Sequence, residues 1–307
     1  MKRLKLIGLS IFLLSAFSPK LFAQQDSTGL PGDNFNLKGA LDLFRQSSSP
    51  EDFEKKINSP DNHVNNLDLD GDGQVDYVKV IDRSSKNDHA FALQVAVSAD
   101  ENQDIAVIEL EKTGDTTAQL QLVGDKDIFG EELIAEPSTQ GDEQADNGSP
   151  VPGHGPFVAR YQPERIIFNV FFWPCVQFVY RPLYVPWVSP WRWMYYPVWW
   201  KPWRPLGWHV FHPYCIRYYP GYAFVRTHRM GNAYAVYKPY RCSSVIVRTR
   251  TVVVHNRYRT APPYIRPNRY NRPRENREFR RENRPGREMH MGGGRRGGNG
   301  RRWRDKD

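Results

Sequence analysis

Cysteine is scarce: Cys175, Cys215 and Cys242 are the only three in 307 residues. An odd number permits one internal disulfide and leaves one thiol over, and their spacing fits no zinc site. Long apolar runs are missing too. The N-terminal apolar stretch, residues 6–17, is too short to span a bilayer. The chain has no G-x-S-x-G, no H-E-x-x-H and no phosphate-cradling glycine loop before a helix. The even alternation of an outer-membrane barrel is also lacking. The expectation is a protein that is not an enzyme.

The first residues read as a secretory signal peptide. Lys2, Arg3 and Lys5 precede the apolar stretch, and Ala23 is the expected last residue removed. No cysteine lies near that point, so no lipid anchor is expected. This reading places the chain in the periplasm, on the outer-membrane surface or outside the cell.

Charge is divided unevenly. Residues 24–150 hold 27 acidic and 9 basic side chains, a net of −18; residues 151–307 hold 7 and 30, a net of +23. The overall +9 hides a dipolar chain. Such asymmetry points to two modules with different partners, or to the two halves binding each other.

The most specific motif is Asp68-Leu69-Asp70-Gly71-Asp72-Gly73-Gln74-Val75-Asp76. Carboxylates at positions 1, 3, 5 and 9, with glycine at 6, have the spacing of an EF-hand calcium loop. Gln74 at position 7 would offer its backbone carbonyl. Position 12 is Lys79 rather than glutamate, and a strand-like run (VDYVKVID) follows where an EF-hand has a helix. The loop resembles the calcium loops of FG-GAP and dockerin-type modules. That resemblance covers about a dozen residues. It implies calcium held by Asp68, Asp70, Asp72, Gln74 and Asp76, most simply in a structural role and with weakened affinity.

Elements around the loop follow from periodicity. Leu37, Leu41 and Phe44 predict a helix over residues 37–46. Ser49, Pro50, Glu51 and Asp52 predict a second helix start, ending near Asn58 before Pro60. Strands are expected at 75–82, 89–97, 105–111 and 118–123, joined by short connectors rich in turn formers. Short connectors favour an antiparallel meander. Residues 24–136 should therefore form a small acidic α+β domain with one or two N-terminal helices. Residues 137–157 have linker composition.

The basic half begins with an aromatic segment, residues 158–255. Between residues 161 and 240, 26 of 80 side chains are Phe, Trp or Tyr, and eight of the nine tryptophans lie between Trp173 and Trp208. Proline recurs every few residues and argues against helix interiors and central strands. Residues 166–172, 175–180 and 243–255 remain strand-capable. Residues 256–307 are rich in Arg, Asn, Pro, Glu and Gly and are expected to be disordered. The whole arrangement resembles uncharacterised secreted proteins common in Bacteroidota genomes, a resemblance that implies location more than activity.

Trp187, Trp191, Arg192, Trp193, Trp199, Trp200, Lys201, Trp203, Arg204 and Trp208 are the candidate contacts to a membrane or polyanion. Trp and Tyr favour the lipid interface, and Arg and Lys beside them reach phosphates. The expected partner is an anionic lipid or envelope polyanion. Glycan or extracellular DNA, stacked on exposed aromatics, is the alternative. An unrecognised envelope hydrolase is the remaining one, since Cys/His pairs meet in space rather than in sequence. Against it, Cys175 follows Pro174 in an aromatic run, where burial would blunt its reactivity. His209 and His212 lack a third metal ligand at useful spacing.

Overall fold

The computed structural model describes residues 27–138 and 168–260, except for the side chains of Tyr219 and of residues 255–260. The expected signal peptide, most of the expected linker and residues 261–307 lie outside the described residues.

Two capped helices open the fold. The Asn36 side chain accepts from the Gly39 amide and starts α1, Leu37–Gln46. Ser49 accepts from the Asp52 amide at 3.1 Å and starts α2, Pro50–Ile57, with proline in the first turn. A meander follows: β1 Val78–Ser85, β2 Asp88–Ala96, β3 Asn102–Gly114 and β4 Thr117–Gly124. A single turn, α3 Lys126–Phe129, leads into β5 Leu133–Pro137. The sheet is completed from the aromatic half by β6 Tyr222–Val225, antiparallel to β5. The result is a six-stranded antiparallel sheet in sequence order, an α+β fold.

Both sheet faces are covered. Phe91, Leu93, Ile108, Leu110 and Leu122 point to α1 and α2, where Phe44 meets Phe53 and Phe91 with ring centroids 5.3 Å apart. Helix α4, Pro174–Val179, adds Cys175, Val176 and Val179 to this core. The opposite face presents small residues, Ala90 and Ala92, beside Val107 and Val123. Helix α6, Gly231–Tyr237, packs there through Tyr237.

The aromatic half therefore lies on the acidic one. Residues 181–206 form a strap along β1, the free edge of the meander. The Asp82 amide donates to the Trp187 carbonyl at 2.7 Å, and the Ser189 amide to the Val80 carbonyl at 3.1 Å.

Five sequence expectations are corrected. Residues 175–180 fall mostly in α4, whose first residue is Pro174, a favoured first-turn position. Residues 243–255 fall largely in α7, Val245–Thr260. There the Ser244 hydroxyl accepts from the Val247 amide, and Val247 and Thr251 are buried one turn apart. The helix also carries residues 256–260, which composition had assigned to a disordered tail. Residues 168–172 are irregular rather than strand, with the Val170 amide donating to the Ala118 carbonyl. Pro213 sits inside α5, Trp208–Ile216, so proline did not exclude a helix there.

Candidate cation loop and basic aromatic strap

Residues 68–76 close on themselves through their own carboxylates. Asp68 accepts from the Gly71 amide at 2.8 Å and the Gly73 amide at 3.1 Å. Asp70 accepts from the Asp72 amide at 2.9 Å, and Asp72 from the Gln74 amide at 2.7 Å. Gly71 and Gly73 take φ of +83° and +82°, a conformation that side chains resist. One oxygen each from Asp68, Asp70 and Asp72 lies within 4.8 Å of the other two. Gln74 is exposed, and its side-chain amide donates to Asp72.

Asp76 stands apart from that trio. It is buried and accepts from the Leu69 amide at 2.5 Å. Burial is the main cause that pushes its pKa up to about 8, the Leu69 bond opposes it, and the Asp70, Asp68 and Asp72 carboxylates push further up. Burial likewise raises Asp70. The donor set is all hard oxygen with like charges crowded together, so it fits a hard cation such as calcium.

The loop is clamped from the basic half. The Val75 amide donates to the Trp203 carbonyl at 2.7 Å. From α7, Arg250 donates to the Leu69 carbonyl at 2.6 Å.

Most tryptophans of the strap turn inward. Trp200 is 7% exposed, and its buried indole N–H has no hydrogen-bond partner. Trp187, Trp191, Trp193, Trp203 and Trp208 are half-buried. Among the candidate tryptophans only Trp199 is exposed, at 48%. Tyr77 meets Trp200 edge-on at 5.1 Å, and Tyr196 meets Trp200 at 4.8 Å. Arg192, Lys201 and Arg204 are exposed. No acidic residue occurs anywhere in residues 165–274.

Glu54 of α2 ties strap to sheet. Its two oxygens accept from the Tyr77 hydroxyl, the Val80 amide, the Trp187 indole and the Ser189 hydroxyl, all within 3.1 Å. Burial raises its pKa despite these four donors.

The outer sheet face holds a second buried polar layer that sequence reasoning missed. Asp104 accepts from Gln94, the Tyr237 hydroxyl and the Cys242 amide. Glu109 is bonded to His228 through one oxygen, and the other has no partner. Arg229 pairs with Glu136, and Arg241 with Asp125 and Asp127. The strand alternation held the signal: Gln94, Asp104, Glu109 and Gln121 face away from the core, and a solvated face needs no counterparts 100 residues on.

The three cysteines are free. Burial pushes the Cys175 thiol far up and Cys215 up to about 12, away from thiolate chemistry. His212 stacks on Trp208 at 4.5 Å. His89 is buried against Asp82, which also accepts from Tyr184. Among the described residues, no helix is long and apolar enough to cross a membrane. Comparison of the chain with protein-family models, curated proteins and solved structures found no match.

Proposed function

We propose that this chain is an exported, non-enzymatic envelope protein that attaches to an anionic surface through its basic half. A calcium ion bound at residues 68–76 would secure the turn into β1. The observation that carries the reading is the acid-free strap, which packs most of its rings inward and leaves Arg192, Lys201 and Arg204 in solvent. Exposed cations in a segment that contributes no acid of its own attract phosphates. The buried, high-pKa thiols of Cys175 and Cys215 speak against a cysteine hydrolase. When bound, calcium would supply charge neutralisation to Asp68, Asp70 and Asp72 and lower the cost of keeping Asp76 ionised.

The test is binding of the mature chain, residues 24–307, to vesicles of phosphatidylglycerol and of phosphatidylcholine and to an anionic polysaccharide. Each is measured at low and raised salt. Attachment to anionic surfaces that weakens steeply with salt is expected. Equal binding to neutral vesicles, or binding indifferent to salt, would sink the reading.

A further inference from the structure

We infer that three turns of the strap form an apolar ridge that enters the hydrocarbon edge of a lipid bilayer, with cations beside them meeting the headgroups. This rests on the anionic-surface reading and names the surface as lipid rather than polymer.

The turns are closed by backbone hydrogen bonds: Tyr184 to Arg181 at 3.3 Å, Tyr195 to Arg192 at 2.8 Å, and Trp200 to Pro197 at 3.0 Å. Each carries an apolar tip in solvent. Leu183 is 97% exposed, Met194 75% and Val198 97%. Single exposed apolar residues are ordinary; three turn tips on one short strap are not.

The backbone makes the arrangement more telling. Leu183 and Met194 have φ of +62° and +57°, two of only four positive values at non-glycine residues among the described residues. Each sits at the third position of its turn, where positive φ favours glycine or asparagine. Pro182 precedes Leu183, and proline at the second position is the usual companion of that turn. Glycine would remove both the strain and the exposed hydrocarbon. A bulky apolar residue at such a place points to a use for the side chain.

Charge decides the occupant. Arg181 and Arg192 open the first two turns and Lys201 follows the third, all exposed. The Arg181 guanidinium lies 3.6 Å from the Phe178 ring centroid, and that of Arg192 5.4 Å from Tyr195. Apolar tips with cations at their base, and no acid in the segment, match a bilayer surface with anionic headgroups. An anionic polymer would use the cations but leave the tips in water. A second copy of this chain paired strap to strap would bring the same cations against them.

The test compares the mature chain with Leu183→Asn, Val198→Ser and the double variant on phosphatidylglycerol vesicles at fixed salt. Asparagine tolerates positive φ, so the first turn is kept. Each single change should weaken partitioning about tenfold at unchanged melting temperature. Brominated acyl chains should quench the parent's tryptophan fluorescence, and Trp199→Phe should remove most of that quenching. Salt-dependent binding that the variants leave unchanged would overturn the ridge while sparing the anionic-surface reading. Loss of a dimer, rather than of vesicle binding, in the variants would also overturn it. Failure of the parent to bind any anionic surface would instead remove the reading beneath it.

Discussion

The Trp187 indole N–H donates to the Glu54 carboxylate at 3.1 Å across 133 residues of chain. Glu54 accepts three further donors, so its removal would leave a tyrosine, a serine, a backbone amide and an indole unpaired in a buried place. Glu54→Ala should cost about 3 kcal/mol, several times an average substitution. Urea unfolding followed by tryptophan fluorescence measures it. A loss below about 1 kcal/mol would mean that the strap does not depend on this residue.

The calcium reading makes a conditional prediction. With a dissociation constant of about 1 mM, 10 mM calcium should stabilise the parent by about 1.4 kcal/mol, a rise of roughly 3–5 °C. Asp70→Asn combined with Asp72→Asn should abolish that rise and change little in chelator. Equal losses of melting temperature in calcium and in chelator would exclude a cation at this loop.

The His228–Glu109 pair sets a pH dependence. The bond to Glu109 is the main cause that raises the imidazole pKa, aided by the charges of Glu109, Glu132 and Glu111, while burial opposes. Burial raises Glu109 as well, and Arg229 lies next in sequence, paired with Glu136. A raised folded-state histidine pKa gives stability that is complete below the unfolded value of about 6.5 and is lost as pH rises through the folded value. Glu109 acts with the same sign. Melting temperature should therefore fall as pH rises above about 6.5, and His228→Gln should flatten that fall. A parent curve that rises over the same range would contradict the pairing.

Thiol labelling tests the placement of the cysteines. Cys242 is partly exposed and should react slowly in the native protein, since burial raises its pKa. Cys175 and Cys215 should react only on unfolding. Rapid native labelling of Cys175 would mean that α4 does not stay docked.

The first half of the fold is legible in the sequence because local rules and tertiary packing agree there. Ser49-Pro50 starts α2 as capping chemistry requires, and Phe91, Leu93 and Val95 alternate as a half-buried strand should. Legibility ends where a segment's conformation is set by what it packs on. Strand β5 has five residues and β6 four, too short to show a period. Helix α7 is rich in valine and threonine and reads as a strand by propensity. Val247, Thr251 and Val254 have helical spacing, but the same face carries Arg250, an exposed arginine that donates to the Leu69 carbonyl. In the candidate site, the aspartate spacing identified the oxygen trio. It did not reveal that Asp76 is occupied by the Leu69 amide. Counting tryptophans pointed to the strap, but exposure there falls mainly on Leu183, Val185, Met194 and Val198.

Strand order has a consequence for how the chain is made. The meander up to β4 pairs only sequence neighbours, but β1 is sealed by residues 187–189 and β5 by residues 222–225. These closures span about 100 residues and carry the entropy of large loops, so they should come late in folding. Until residues 187–189 and 222–225 have docked, both outer strands offer unpaired backbone to any neighbouring chain. A nascent or truncated form ending before β6 should therefore self-associate edge to edge, while the finished chain does not.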